Sequence, residues 1–328
     1  MPRRCAVLTA GRRGPARRRR RGYDRDPMAS LQAALLDRYV RRLHLFGEDG
    51  ADVATLRRRI ERVAPPVLPW SGVRVSPVEA GGVPGEWAVP NGAGADRVLL
   101  YLHGGGWIMG SPRTHRSLVA GLARGAGVRA LSLDYRLAPE HPFPAALDDC
   151  VAAYDWLLAS GFEPGRIVIA GDSAGGNLAL AVLLRLRDAG TPLPAAAVLL
   201  SPATDLGLAG ASHTTRRALD PYLARADLEA IVAAYAGTRD RAEPYLSPLF
   251  ADLHGLPPML IHVGDHEVLL DDAVRLGERA LAAGVEARTV VWPGMMHVFQ
   301  NLAPFVPEAR RANREIAAFV RSRVGAAA

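Results

Sequence analysis

From residue 98 to the end of the chain, short apolar runs alternate with stretches of helical period, and no other feature constrains the fold as tightly. Runs buried on both sides read as parallel strands, and each needs a crossover helix to return the chain to the same end of the sheet. Candidate strands lie at 98–102, 130–133, 167–169, 197–200, 259–263 and 287–291, with helices near 115–125, 145–159, 174–188, 269–283 and 308–323. Gly190 and Gly284 stand just past two of these helices, where a left-handed cap is wanted.

Upstream, Leu31, Leu35, Leu36, Tyr39, Val40, Leu43 and Phe46 recur at helical spacing, and a second amphipathic stretch at 53–63 stops before Pro65-Pro66. Two β-branched runs follow at 73–75 and 87–89, and Pro90-Asn91-Gly92-Ala93-Gly94 is expected to fold the run at 87–89 against that at 98–102 as a hairpin. The stretch 205–258 interrupts the alternation and holds a helical segment at 228–235. It reads as half of a lid whose other half is the N-terminal helix pair.

Composition narrows the partners. The chain of 328 residues has no apolar run approaching the roughly 18 residues of a membrane span, and Cys5 and Cys150 cannot form a disulfide framework. Its formal charge of +7 is concentrated in residues 1–27, where ten arginines face Asp24 and Asp26. The remaining residues carry 30 arginines against 31 acids, so the body lacks the basic surface of a nucleic-acid binder. The head is expected to be a disordered Arg-rich extension and not an export signal, for which its apolar stretch at 5–10 is too short. Residues 28–328 then form one α/β domain, with a helical cap from about 28–66 plus part of 205–245. Neither a nucleic acid nor a membrane is expected as a partner.

Gly171-Asp172-Ser173-Ala174-Gly175-Gly176 sits between a strand and a helix, the setting of a nucleophile elbow. By chance a bare GxSxG should arise roughly 0.1 to 0.2 times in such a chain. His103-Gly104-Gly105-Gly106-Trp107, directly after a strand, is about tenfold rarer. A glycine run there lets main-chain amides approach a developing oxyanion, and the donors expected are Gly104 and Gly105 with Ala174 as third. His103 reads as a structural ring pinning the loop. A base and an acid must come later in the chain: His297 follows the last strand, and the stretch after 263 offers Asp265 and Glu267, since Asp271 and Asp272 suit the first turn of a helix. A metal held by His262, His266 and Glu267 is not expected, because His262 should point into the sheet flank, which leaves no third ligand at proper spacing.

These motifs, together with Asp134-Tyr-Arg-Leu-Ala-Pro-Glu-His-Pro-Phe-Pro-Ala-Ala-Leu-Asp148, Ser201-Pro202 and the His297 motif, resemble the hormone-sensitive-lipase group of α/β-hydrolases, the bacterial family IV esterases. The resemblance runs from about residue 30 to the end. It implies an α/β-hydrolase fold with a mostly parallel eight-stranded sheet, flanking helices and a cap. It also implies a cytoplasmic, cofactor-free carboxylesterase for short acyl chains and, in many relatives, a homodimer through the edge strand near His297. It places the acid at the spacing of Glu267, 94 residues after Ser173 and 30 before His297. The run from His262 to Asp272 and Trp292–Gln300 is similar to actinobacterial lactone and acetyl hydrolases.

The expected chemistry is a serine hydrolase acting on small esters or lactones, with Ser173, Glu267 and His297 catalytic. An N- or O-acetyl hydrolase of a secondary metabolite is the alternative. A non-catalytic receptor on the same scaffold would ordinarily have lost one of the three residues.

Overall fold

Apolar side chains on both faces of the central strands require cover on both sides, and the computed structural model of the protein, which describes residues 6–7, 29–43, 51–63 and 72–325, supplies it. The strands are β1 (Ala6–Val7), β2 (Val73–Ala80), β3 (Val83–Pro90), β4 (Gly94–Leu102), β5 (Val128–Leu133), β6 (Ile167–Asp172), β7 (Ala196–Leu200), β8 (Met259–Gly264) and β9 (Ala287–Trp292). The helices are α1 (Leu31–Arg41), α2 (Val53–Val63), α3 (Pro112–Ala126), α4 (Ala145–Ala159), α5 (Ala174–Asp188), α6 (Ser212–Thr215), α7 (Arg225–Ala236), α8 (Leu270–Ala282) and α9 (Pro307–Val324).

One sheet runs in the order β1-β9-β8-β7-β6-β4-β5-β3-β2. All pairings among β4 to β9 are parallel, and β2 and β3 join antiparallel at one edge. This is the expected α/β-hydrolase architecture of eight strands, β2 to β9, with two further residues at the far edge. Alternation sorts the core: Val98, Leu100 and Leu102 of β4 face the side covered by α4, α5 and α8, while Leu99 and Tyr101 face α3 and α9.

The hairpin lies elsewhere than expected. Gly81 and Gly82, both at positive φ, turn β2 directly into β3, with Ala80 opposite Val83. Pro90 to Gly94 makes no hairpin, because β5 pairs with both β3 and β4 and separates them. Gly190 and Gly284 do close α5 and α8 in the left-handed conformation, with φ of 71° and 76°. Their helices end in paired bonds such as Val285 N–H to Ala280 O (2.9 Å) and Gly284 N–H to Leu281 O (3.1 Å).

Of the arginine-rich head, Ala6 and Val7 pair with Val291 and Val290 of β9, on the edge through which the resemblance would join two copies. The rest of 1–27 lies outside the described residues, as does Phe46 beyond the end of α1. α1 is fastened at its start by Ser30, whose hydroxyl accepts the Ala33 amide (3.3 Å) and donates to Glu308 of α9 (2.9 Å). At its end, Arg41 donates to the carbonyls of Leu219 (2.5 Å) and Asp220 (3.4 Å) in the 205–258 insertion. No helix among the described residues is long and apolar enough to cross a membrane.

Candidate active site

The C-terminal ends of the parallel strands gather the chemistry. Ser173 leaves β6 and heads α5 with φ 54° and ψ −119°, a conformation that a residue with a side chain holds only under constraint. The constraint is steric. A Cβ on Gly171 would stand 2.2 Å from Gly175 O, and one on Gly175 would stand 2.0 Å from Leu102 O, so glycine is obligatory on both sides of the serine. Ser173 caps α5 with no side-chain hydrogen bond to the helix, and the Ala174 amide is the first of the helix N-terminus. Four of the five non-glycine residues at positive φ among the described residues belong to this region: Trp107, Ser173, Ser201 and Val298.

The glycine loop after β4 differs from expectation at one position. Asp172 turns its buried carboxylate beneath the loop, where Oδ1 accepts the Gly104 amide (3.0 Å) and the Tyr101 hydroxyl (2.7 Å), and Oδ2 meets His115 Nε2 (3.2 Å). Gly104 N–H is therefore committed and cannot serve an oxyanion. The amides of Gly105 and Gly106 have no partner among the described residues, so the available donors are Gly105, Gly106 and Ala174. A Cβ on Gly105, at φ 119°, would stand 2.2 Å from Met109 O, and one on Gly106 would stand 2.8 Å from Ile231 of α7. Trp107 extends the same contact by stacking on Tyr235 of α7, with centroids 4.4 Å apart.

His103 holds the loop. Burial pushes its pKa down to about 3, so the neutral ring donates Nδ1–H to Gly104 O (2.8 Å) while stacking on Tyr135 at 4.2 Å. His115 goes the other way. Burial opposes its charge, but the Asp172 carboxylate outweighs burial and raises its pKa.

Beyond β8 and β9 the two remaining loops interlock. Asp265 Oδ1 accepts the Gly294 amide (2.6 Å) and His266 N–H donates to Met295 O (3.1 Å), so Asp265 binds one loop to the other. Glu267, fully buried, is the carboxylate that meets the histidine, with His297 Nδ1 donating to Oε2 at 2.7 Å. Its Oε1 accepts Ser201 Oγ–H (2.8 Å) and Gly264 N–H (2.5 Å). Burial disfavours the His297 cation, yet the bond and charge of Glu267, then Asp220, then Asp172 prevail, and the pKa is raised.

Ser201, whose place in this network sequence reasoning missed, connects the parts: its hydroxyl also accepts Val298 N–H (3.2 Å), and the carbonyl before it, Leu200 O, accepts Ser173 N–H (2.8 Å). The end of β7 thus ties the serine's turn to the acid and the base. Its only sequence signal was a serine-proline pair closing an apolar strand. His262, His266 and Glu267 do not converge: His262 packs beside Trp292 and His266 beside Asp265. No cluster suited to a metal occurs among the described residues. A serine on a strained turn, free amides beside it and a histidine oriented by a buried carboxylate together suit acyl transfer.

Residues 99–301 match the family described as the alpha/beta hydrolase fold. An acetyl-hydrolase of Streptomyces hygroscopicus is 51% identical over 249 residues, 76% of this chain and 83% of the relative. The crystal structure of an esterase from the bacterial hormone-sensitive lipase family superposes with a TM-score of 0.87 at 45% identity, covering 90% of this chain and 99% of that one. The esterase EstE5, solved after soaking with p-nitrophenyl butyrate, gives a TM-score of 0.87 at 42% identity with the same coverage.

Proposed function

The chain belongs to the hormone-sensitive-lipase group of α/β-hydrolases and is a hydrolase, and from that membership we propose that it cleaves small short-chain carboxylic esters or lactones by a Ser173-His297-Glu267 mechanism. The observation that carries the reading is the 2.7 Å contact between His297 Nδ1 and the buried Glu267 carboxylate, at the sheet edge where Ser173 stands on its strained turn. His297 Nε2 takes the Ser173 hydroxyl proton as Oγ adds to the acyl carbon. The carbonyl electron pair moves to oxygen, which the amides of Gly105, Gly106 and Ala174 stabilise. Collapse expels the alcohol with the proton from His297 and leaves an acyl-serine. Water then repeats the addition, its proton passing to His297 and on to Oγ as the carboxylic acid departs.

In this reading α1, α2 and the 205–258 insertion act as the cap, with Arg41 tying α1 to the insertion and Arg57 tying α2 to the loops at Ile108 and Ala138, and short acyl groups are the expected substrates. The soaking of EstE5 with a butyrate ester points the same way. An acetyl-hydrolase is the second reading, favoured by the 51% identical Streptomyces relative that bears that name. A panel of acetate to palmitate esters, lactones and N- and O-acetyl compounds separates the two. Acetate to hexanoate esters are expected to lead, and efficient palmitate hydrolysis with weak butyrate hydrolysis overturns the size argument. Ser173→Ala should cut turnover on the order of 10⁴-fold or more with unchanged melting temperature. Residual turnover within about tenfold of wild type would refute the serine mechanism.

A further inference from the structure

The loop between α6 and α7 brings a second buried carboxylate to the acid and the base. Asp220 is 6% exposed, and its two oxygens accept main-chain amides on different segments. Oδ1 takes Tyr222 N–H (2.8 Å) and Leu223 N–H (3.0 Å), while Oδ2 takes Val268 N–H (2.9 Å). Val268 follows Glu267 directly. Two residues from Asp220, the Tyr222 ring stands edge-on to the His297 ring with centroids 6.4 Å apart. From the other side, Arg41 of α1 holds the carbonyls of Leu219 and Asp220, and is itself paired with Asp37 (2.8 Å). One loop therefore touches the acid's turn, the base's ring and the N-terminal helix.

We infer that Asp220 is a positioning residue of the reaction: it fixes the turn that presents Glu267 and adds a second negative charge beside the His297 imidazolium. The inference rests on the catalytic reading above. Side-chain chemistry explains why aspartate is needed, since asparagine has the same shape but can accept on one side only and would turn an N–H donor toward amide donors. The charged groups facing His297 are Glu267 from the turn after β8, Asp220 from the insertion and Asp172 from the end of β6, all of which favour the cation against burial. Those facing Asp220 are His297, which favours its ionised form, Glu267, which opposes it along with burial, and the Tyr222 phenol, which burial and then Asp220 keep protonated, while Arg41 reaches the Asp220 carbonyl.

The test is the pH dependence of kcat and kcat/KM for Asp220→Asn and Asp220→Glu on one soluble short-chain ester, beside wild type and Ser173→Ala. His297 must be neutral to accept the serine proton, so the acidic limb reports its ionisation. Removing the Asp220 charge lets that ionisation fall, and the acidic limb of Asp220→Asn should move to lower pH by about half a unit or more, with plateau kcat about tenfold lower. KM should stay within about twofold. Asp220→Glu keeps the charge and should leave the limb in its wild-type position even where its plateau drops. A limb that stays put in Asp220→Asn overturns the inference, and so does an equal shift in Asp220→Glu. If Asp220→Asn does not fold, Asp220→Ser is read by the same criterion. An active Ser173→Ala overturns the catalytic reading itself, whereas an inactive one with an unmoved limb removes only the role of Asp220.

Discussion

The loops at the sheet edge and the helices that cover them are secured by different means. In the loops there is no room for anything else: added Cβ atoms on Gly105, Gly171 and Gly175 would stand 2.0 to 2.2 Å from main-chain oxygens. In the cover, long side chains reach across to carbonyls. Arg57 of α2 donates Nε–H to Ile108 O (2.7 Å) and Nη2–H to Ala138 O (2.9 Å), and Arg113 of α3 reaches back to Glu61 O of α2 (2.9 Å). A backbone collision leaves no alternative geometry, whereas an arginine has many rotamers and its bonds are exchanged for water at modest cost. The loops are therefore intolerant of change and the cover is adjustable, so in the proposed reaction substrate range is expected to vary with the cover.

The largest effect that could break this contrast lies within the loops. Glu267→Gln keeps the shape of the acid but offers an amide to His297 Nδ1, favouring the wrong tautomer, and turnover should fall on the order of 10³-fold. Asp265→Asn, whose partner is the Gly294 amide, should cost about tenfold or less. Steady-state kinetics of both variants on one soluble ester decide it, and an inactive Asp265 variant beside an active Glu267 variant reverses the assignment. The next effect compares neighbouring glycines. Gly105→Ala collides with the main chain of its own loop and should lose about 10²-fold or more in kcat, with no rescue from a second site. Gly106→Ala collides with Ile231 of α7, so adding Ile231→Ala should recover most of its loss, leaving only the cost of about 1–2 kcal/mol for a side chain at positive φ. A double-mutant cycle showing no coupling between 106 and 231 would mean that the cover does not bear on the glycine loop.

Legibility in the sequence follows the same division. The strands, the crossover helices and the glycine caps at 190 and 284 were readable because each depends on a periodicity or a conformation local to a few residues. The elbow and the glycine loop were readable for the same reason. Failure came wherever a partner lies far along the chain. Gly104 could not be told from Gly106 as an amide donor, because its commitment depends on Asp172, 68 residues away. The hairpin was misplaced because β3 takes β5 as its neighbour, a choice that Pro90 to Gly94 does not encode. Glu267 was separable from Asp265 only through the spacing that the family resemblance implies, since both carboxylates stand on one loop. Asp220 and Arg57 gave no signal at all: one lies in the stretch 205–258 that interrupts the alternation, and the other is one of several arginines in the amphipathic stretch 53–63.

Arg57 supplies the smallest expected effect and the sharpest view of the cover. Its guanidinium joins α2 to the glycine loop at Ile108 and to the loop after β5 at Ala138, while Glu140 accepts from Nη1 and Nη2 at 2.8 and 2.7 Å. The Glu140 side chain is 56% exposed, so the ion pair itself contributes little and the two carbonyl bonds carry the attachment. Arg57→Met should keep the stem's packing and lose those bonds, lowering the melting temperature by about 3 °C. Turnover should fall several-fold, because Ile108 lies two residues beyond Gly106. Lysine at this position has one ammonium that cannot span both carbonyls, so Arg57→Lys should resemble Arg57→Met, whereas Glu140→Gln should stay close to wild type. If Glu140→Gln proves as harmful as Arg57→Met, the exposed ion pair and not the fork on the carbonyls holds α2, and the cover is fastened by charge at its surface instead of by hydrogen bonds to the loops it shields.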